Sequence, residues 1–288
     1  GISGRANVVW SREYERPMLG RFGLKAGMPT IREQSAAAFS GDMGLSTALY
    51  PAHSGDCSAA QADCRQALAL GLDVSGSVDA QDYALQMQGL AAALEHPQVR
   101  AALLSRPALP VRLAVFEWSG PADQHLTLDW RAIDSAAALD AVARTLRAAQ
   151  RSPGDPSTAL GSAMRYGEAL LAQQPACWRR TLDLSGDGLS NTGPRPQDVR
   201  GALPRDVTVN ALVIGLPERP GQVSPGLGQL TSYFRAYVIH GTDAFVETAL
   251  GFEDFEASMV RKLLRELTDL PVSRGPATGP VREARADQ

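Results

Sequence analysis

From Cys64 to about Leu270 the chain alternates short β-rich apolar runs with longer Ala/Leu-rich stretches of helical period, and few architectures accept that alternation. Strands are predicted at 66–72, 111–118, 124–130, 179–185, 207–214 and 244–248, and helices at 79–95, 135–149, 159–173, 197–203, 226–234 and 252–268. Strand and helix in turn imply βαβ units and a mainly parallel sheet. The runs QALALGL, RRTLDLS and VTVNALVI are the most continuously apolar, as strands covered on both faces by helices must be. The short gap between 111–118 and 124–130 suits a hairpin, which places one antiparallel strand at an edge. Asp79 and Asp134 or Ser135 serve as N-caps, and Pro97, Pro153 and Pro175 as stops. The expected fold is α/β and doubly wound: a six-stranded sheet with one antiparallel edge strand and helices on both faces.

The flanks differ. Residues 1 to 62 mix Gly, Ser, Ala, Arg and Met without a sustained period of two or 3.6, so they are left unassigned, as a disordered or non-native segment such as a fragment or a misassigned reading frame. Residues 271–288, rich in Pro, Gly, Arg and Ala, read as a disordered tail.

With 44% apolar and 20% charged residues in 288, the chain can bury a full core, and a net charge of −3 offers no polybasic surface for nucleic acid. No stretch nears the eighteen or so apolar residues of a membrane span. The histidines (His53, His96, His125, His240) lack the paired spacing of a zinc site.

Chemistry concentrates where strands hand over to helices. Asp73-Val74-Ser75-Gly76-Ser77 closes the first apolar run with one carboxylate and two hydroxyls, oxygens of the kind a hard divalent cation takes. In an open doubly wound sheet, ligands collect at such strand ends. Thr158 lies in a Gly/Pro-rich loop immediately before a helix, and Asp183-Leu184-Ser185-Gly186-Asp187-Gly188 ends a second apolar strand in Asp-Gly. Taken in order, Asp-x-Ser-x-Ser, a loop Thr and a strand-end Asp-Gly on a βαβ pattern resemble the von Willebrand factor A-type fold and its metal-ion-dependent adhesion site. The stretches DVSGSVDAQDY, LAVFEWSG, STALGSAM, RRTLDLSGDGLSN, VTVNALVIG and RKLLREL look like a bacterial exported A-domain family named only as a domain of unknown function, over about residues 63–270.

The resemblance implies that Ser75 and Ser77 ligate Mg²⁺ or Mn²⁺ directly, that Thr158 binds directly or through water, and that Asp73 and Asp187 act mostly through water and hydrogen bonds to the serines. An ion with few direct protein charges keeps its Lewis acidity and can accept an acidic side chain from a protein partner. Asp183 lies about 13 Å back along the strand from Asp187 and reads as a structural or outer carboxylate. Glu117 and Trp118 end the second strand on the same side, either as an acidic-aromatic rim that helps select the partner or as a packed Trp beside a solvated Glu. Asn191 and Arg195 are open between partner contact and turn chemistry. In A domains that switch, the last helix moves; here that is 252–268.

Cys64 precedes Asp73 by nine residues and Cys177 precedes Asp187 by ten. In the A-domain strand order these strands are parallel neighbours, so the resemblance implies a Cys64–Cys177 disulfide and an oxidising compartment, periplasmic or secreted. Cys57 is then the odd thiol. Ala60-Gln61-Ala62 has the small-x-small pattern of a cleavage site, yet no apolar core precedes it, so a signal peptide is not evident. The implied function is a metal-dependent protein-binding module. The alternatives are a component or chaperone of a multi-protein assembly and, less favoured, a metal-dependent hydrolase. The chain carries no Walker-type loop, no Gly-x-Ser-x-Gly elbow and no His-Glu-x-x-His, so it is not expected to be an enzyme.

Overall fold

The computed structural model describes residues 6–22, 26–43, 47–50, 63–215 and 226–267, and divides into two compact units, Gly1–Ala62 and Asp63–Gln288. The smaller unit pairs β1 (Val8–Ser11) with β2 (Arg16–Leu19) antiparallel and adds α1 (Ile31–Met43). Glu33, in the first turn of α1, accepts hydrogen bonds from the Ser11 hydroxyl and, at 3.2 Å, from the Arg12 N–H, which ties hairpin to helix. A stretch that shows no packed element in its sequence therefore holds three. Strands of four residues and a helix without an apolar stripe leave no period to detect. Cys57 and the tail from 268 onward lie outside the described residues.

The larger unit is the α/β body. Its elements in chain order are β3 (Cys64–Asp73), α2 (Ala80–Glu95), α3 (Pro97–Leu103), β4 (Val111–Trp118), β5 (Gln124–Ile133), α4 (Ala136–Ala148), α5 (Leu160–Ala172), β6 (Cys177–Gly186), α6 (Pro196–Ala202), β7 (Val207–Gly215), α7 (Leu227–Tyr237), β8 (Val246–Leu250) and α8 (Phe255–Leu267). The six-stranded sheet has the order β5-β4-β3-β6-β7-β8, parallel except for β5, which runs antiparallel to β4 at one edge. This is the expected doubly wound sheet, with boundaries that differ by a few residues.

Alternation along β3 assigns the two faces. Leu68, Leu70 and Leu72 pack with Val111, Leu113 and Val115 of β4 and with α2, α4 and α8, whereas Ala67 and Ala69 turn to the other face, with Phe116, Leu182, α5 and α7. That second face needs small residues on β3. A Cβ on Gly71 would lie 2.5 Å from Phe116 Cζ and 2.7 Å from Leu184 Cδ2, so glycine there lets the large aromatic cross the central strand.

Pro97 follows the end of α2 at Glu95, as its reading as a stop requires, and it is also the first residue of α3, a helix not predicted from the sequence, where its missing N–H costs nothing. His96 ends α2 and opens α3 in the same step.

Cys64 and Cys177 face each other in the β3/β6 register, with Cα atoms 4.7 Å apart, and are joined by a disulfide. Under α8, fully buried Lys262 sits between Asp183 of β6 and Glu266 one turn on, its Nζ 2.5 Å and 2.6 Å from their oxygens. Asn210 of β7 donates to Glu266 Oε1 at 2.7 Å. Asp183 is thus a structural carboxylate, four residues along the strand from Asp187. Burial pushes its carboxyl up to about 7 against the pull of the Lys262 ammonium.

Candidate metal site

Three loops meet at the carboxyl ends of β3 and β6. The first leaves β3 at Asp73, whose Oδ1 accepts the Ser75 N–H at 2.8 Å, an Asx turn that bends the chain back over its own strand end. Five further hydrogen bonds hold that bend. Gln86 of α2 donates to the Asp73 carbonyl at 3.0 Å, and the Val74 N–H donates to the Trp118 carbonyl at 2.9 Å. Arg151 donates to the carbonyls of Val74 at 2.6 Å and Val78 at 2.7 Å. The Gly76 N–H donates to the Pro156 carbonyl at 2.8 Å, joining the first loop to the second. Asp79 then caps α2 through a capping box with Asp82.

The second loop carries Thr158, clamped on both sides by Asn191 from the third. Thr158 donates its N–H to Asn191 Oδ1 at 2.9 Å, and its carbonyl accepts the Asn191 N–H at 2.9 Å and the Ser190 hydroxyl at 3.2 Å. The third loop also packs closely against the start of α5 and against Thr158. A Cβ on Gly161 would stand 2.0 Å from the Pro194 carbonyl oxygen, and one on Gly188 would stand 3.7 Å from Thr158 Oγ1.

The five residues singled out in the sequence are brought together here. Ser77 Oγ donates to Asp187 Oδ1 at 2.7 Å, and the Ser75 and Ser77 hydroxyls lie 3.4 Å apart. Asp73, Ser75, Thr158 and Asp187 are all buried, and Asp73 Oδ2 and Asp187 Oδ2 have no hydrogen-bond partner. Burial, and then the Asp187 charge, push the Asp73 carboxyl up to about 8; burial likewise raises Asp187. Two such carboxylates side by side are costly unless a cation joins them. The donor set fits a hard divalent ion: two carboxylates and three hydroxyls, all oxygen. Among the described residues no group of three or more His, Cys, Asp or Glu side chains could hold a metal, so an ion here would need the serine and threonine hydroxyls as well as the two carboxylates.

The rim expected from Glu117 and Trp118 is corrected. Both are 0% exposed, because β4 is an interior strand covered on both faces, and neither reaches a partner. Glu117 accepts the Tyr83 hydroxyl at 2.7 Å and the Ser152 N–H at 2.8 Å, anchoring the Thr158 loop from below. Trp118 packs in the core beneath the strand ends with Phe234. Asn191 is exposed, yet its side chain amide oxygen is committed to Thr158. Arg195 pairs with Asp198 at 2.8 Å, which is turn chemistry. Arg151 and Gln86 were missed by sequence reasoning. Gln86 sits at a core position of an otherwise apolar helix face and could have been flagged; Arg151, in an irregular loop, gives no such signal.

A family model described as protein of unknown function (DUF1194) matches residues 63–271, which is most of the chain and includes every residue of this site. The chain belongs to this family. The DUF1194 match begins where the larger compact unit begins. A second model, of di-haem oxidoreductases (DHOR), matches residues 1–102, about a third of the chain. The sequence holds no Cys-x-x-Cys-His run of the kind that attaches c-type haem. Comparison with curated protein sequences finds no match.

Among solved structures, the pilus adhesin SpaC of Lactobacillus rhamnosus GG aligns with a TM-score of 0.51 at 14% identity, over 71% of this chain and 31% of that one. Proximal thread matrix protein 1 from the mussel byssus aligns with a TM-score of 0.50 at 15% identity, over 72% of this chain and 49% of that one. A von Willebrand factor type A structure from Catenulispora acidiphila aligns with a TM-score of 0.48 at 14% identity, over 71% and 42% of the two chains. The DUF1194 chain thus spans half or less of the length of these proteins. Its fold is a doubly wound α/β sheet, shared with the SpaC and mussel byssus structures.

Proposed function

We propose that this DUF1194 protein is a divalent-metal-dependent protein-binding module of the bacterial envelope or exterior, in which Asp73, Ser75, Ser77, Thr158 and Asp187 hold Mg²⁺ or Mn²⁺ and the ion takes an acidic side chain of a partner. The observation that carries this reading is the meeting of two buried, unpartnered carboxylate oxygens with three hydroxyls at the strand ends. Two carboxylates balance the charge of a divalent ion and no more, so a further anionic ligand from outside is electrostatically acceptable. The ion supplies a Lewis-acidic position for that ligand. The chain's own residues orient the hydroxyls and keep the carboxylates apart from water. Asn191 shapes the rim by fixing Thr158. The disulfide supports an oxidising location, and no helix among the described residues is long and apolar enough to cross a membrane.

The test is affinity capture from the native envelope with Mg²⁺, with Mn²⁺ and with chelator, using wild type and Ser75→Ala. Metal-dependent recovery of the same protein, lost in the variant, supports the reading. Equal capture in chelator overturns it, as does turnover of phosphate or ester substrates that disappears in Asp73→Ala.

A further inference from the structure

A cavity of about 620 Å³ opens at the end of the sheet away from the candidate metal site. Its lining begins at Gln66 on β3, Trp178 on β6 and Thr208 on β7, all near strand starts, whereas the metal site lies at strand finishes. The seven residues from Gln66 to Asp73 separate the two by about 23 Å. A volume of this size falls in the range of small-molecule sites.

The lining specifies the class of ligand. Charges of both signs face the cavity and are largely spent on each other or on rings: Arg180 pairs with Asp206, and the Arg265 guanidinium lies 3.8 Å above the Phe245 ring. Neither a strong anion nor a strong cation is selected by such a wall. What remains is one further charge of each sign, Arg179 and Asp243, which balance, and the Thr208 hydroxyl, beside one large apolar plane. That plane is Trp178, 56% exposed on a strand whose neighbour Cys177 is buried. An exposed indole next to a polar pocket suits an amphipathic ring, with C–H groups on the aromatic face and hydroxyls toward the polar wall.

We propose that the Trp178-rimmed cavity at the amino ends of the strands is a second binding site, for a neutral sugar, independent of the metal site.

The experiment titrates the whole protein with cellotriose, maltotriose and triacetylchitotriose while following the Trp178 indole N–H by NMR. At least one trisaccharide is expected to give a saturable shift with a dissociation constant of about 1 mM or tighter. Trp178→Ala and Arg179→Ala, both at exposed positions, should each weaken binding of that trisaccharide at least ten-fold with unfolding temperature unchanged; for Trp178→Ala the readout is calorimetry. Chelator and Ser75→Ala should leave it intact. The proposal is overturned if none of the three trisaccharides gives a saturable shift, if binding survives Trp178→Ala at full strength, or if it is lost in Ser75→Ala.

Discussion

Ser77 Oγ donates a 2.7 Å hydrogen bond to Asp187 Oδ1 across 110 residues of sequence, and this contact closes the ring of oxygens between the first and third loops. Ser77 is thereby oriented before any ion arrives. Replacing Ser77 with Ala removes both a proposed ligand and the partner of a buried carboxylate. Mn²⁺ affinity, read by calorimetry, should fall roughly ten-fold or more, and Asp187→Ala should fall at least as far. Unchanged affinity in both would exclude these residues from the site.

Arg151 should behave as a positioning residue. Its guanidinium spans the carbonyls of Val74, Ser75 and Val78, so it holds the Asp-x-Ser-x-Ser loop from a different segment of chain. Arg151→Ala should cost about 1–3 kcal/mol in chemical denaturation and also weaken Mn²⁺ binding, although the guanidinium contacts only backbone carbonyls and none of the side chains proposed as ligands. Arg151→Lys, lacking the fork that reaches separate carbonyls, should restore only part of either. A stability loss with metal affinity intact would make the role purely structural.

The contact between α5 and the third loop gives a sharper steric test. Because a Cβ at Gly161 meets the Pro194 carbonyl oxygen at 2.0 Å, Gly161→Ala must push the loop away, at about 3 kcal/mol. Gly201 in α6 has nothing within 4 Å, so Gly201→Ala should be neutral or stabilising. Thermal unfolding of the two variants side by side settles the matter; equal behaviour would contradict the packing described here.

The disulfide closes a loop of 113 residues. Loop-closure entropy for that length corresponds to about 4–5 kcal/mol, so the Cys64→Ser/Cys177→Ser double variant should unfold at a distinctly lower denaturant midpoint. Wild type in reductant should match it, provided the bond is reduced. A midpoint unchanged by either treatment would show that the crosslink contributes nothing.

Stability should also depend on the protonation of Asp183. Its carboxyl is raised from the ordinary aspartate value to about 7 by burial, with the Lys262 ammonium opposing and Glu266 adding to the rise. The folded state then binds the proton more tightly than the unfolded one. This contribution is fully present below about pH 4 and is lost as pH rises through about 7. Asp183→Asn removes the group that titrates, so the slope of stability between pH 5 and 8 should flatten relative to wild type. A variant with the wild-type slope would assign that slope to other groups.

Most of the sheet was legible because its strands are apolar on both faces, and runs such as VTVNALVI have no other comfortable fate. Legibility failed at α3, since a proline that stops one helix gives no sign in sequence that it also begins the next, and only the chain's path past His96 shows it. It failed in residues 1–62 because four-residue strands leave no period. For the site, Asp73, Ser75, Ser77, Thr158 and Asp187 were visible as ordered motifs. The misassignment of Glu117 and Trp118 came from reading a strand end as a surface. Residues at the end of an interior strand are roofed by the loops that follow.

The sequence by itself determined the order of elements, the covered sheet and the oxygen-bearing residues at strand ends, because hydrophobic period and turn chemistry are local properties written residue by residue. Only the tertiary structure decided which loops meet there. Arg151 reaches Val74 across 77 positions, Gln86 the Asp73 carbonyl and Asn191 the Thr158 backbone, and contacts at such separations depend on the packing of whole elements rather than on any pattern within one.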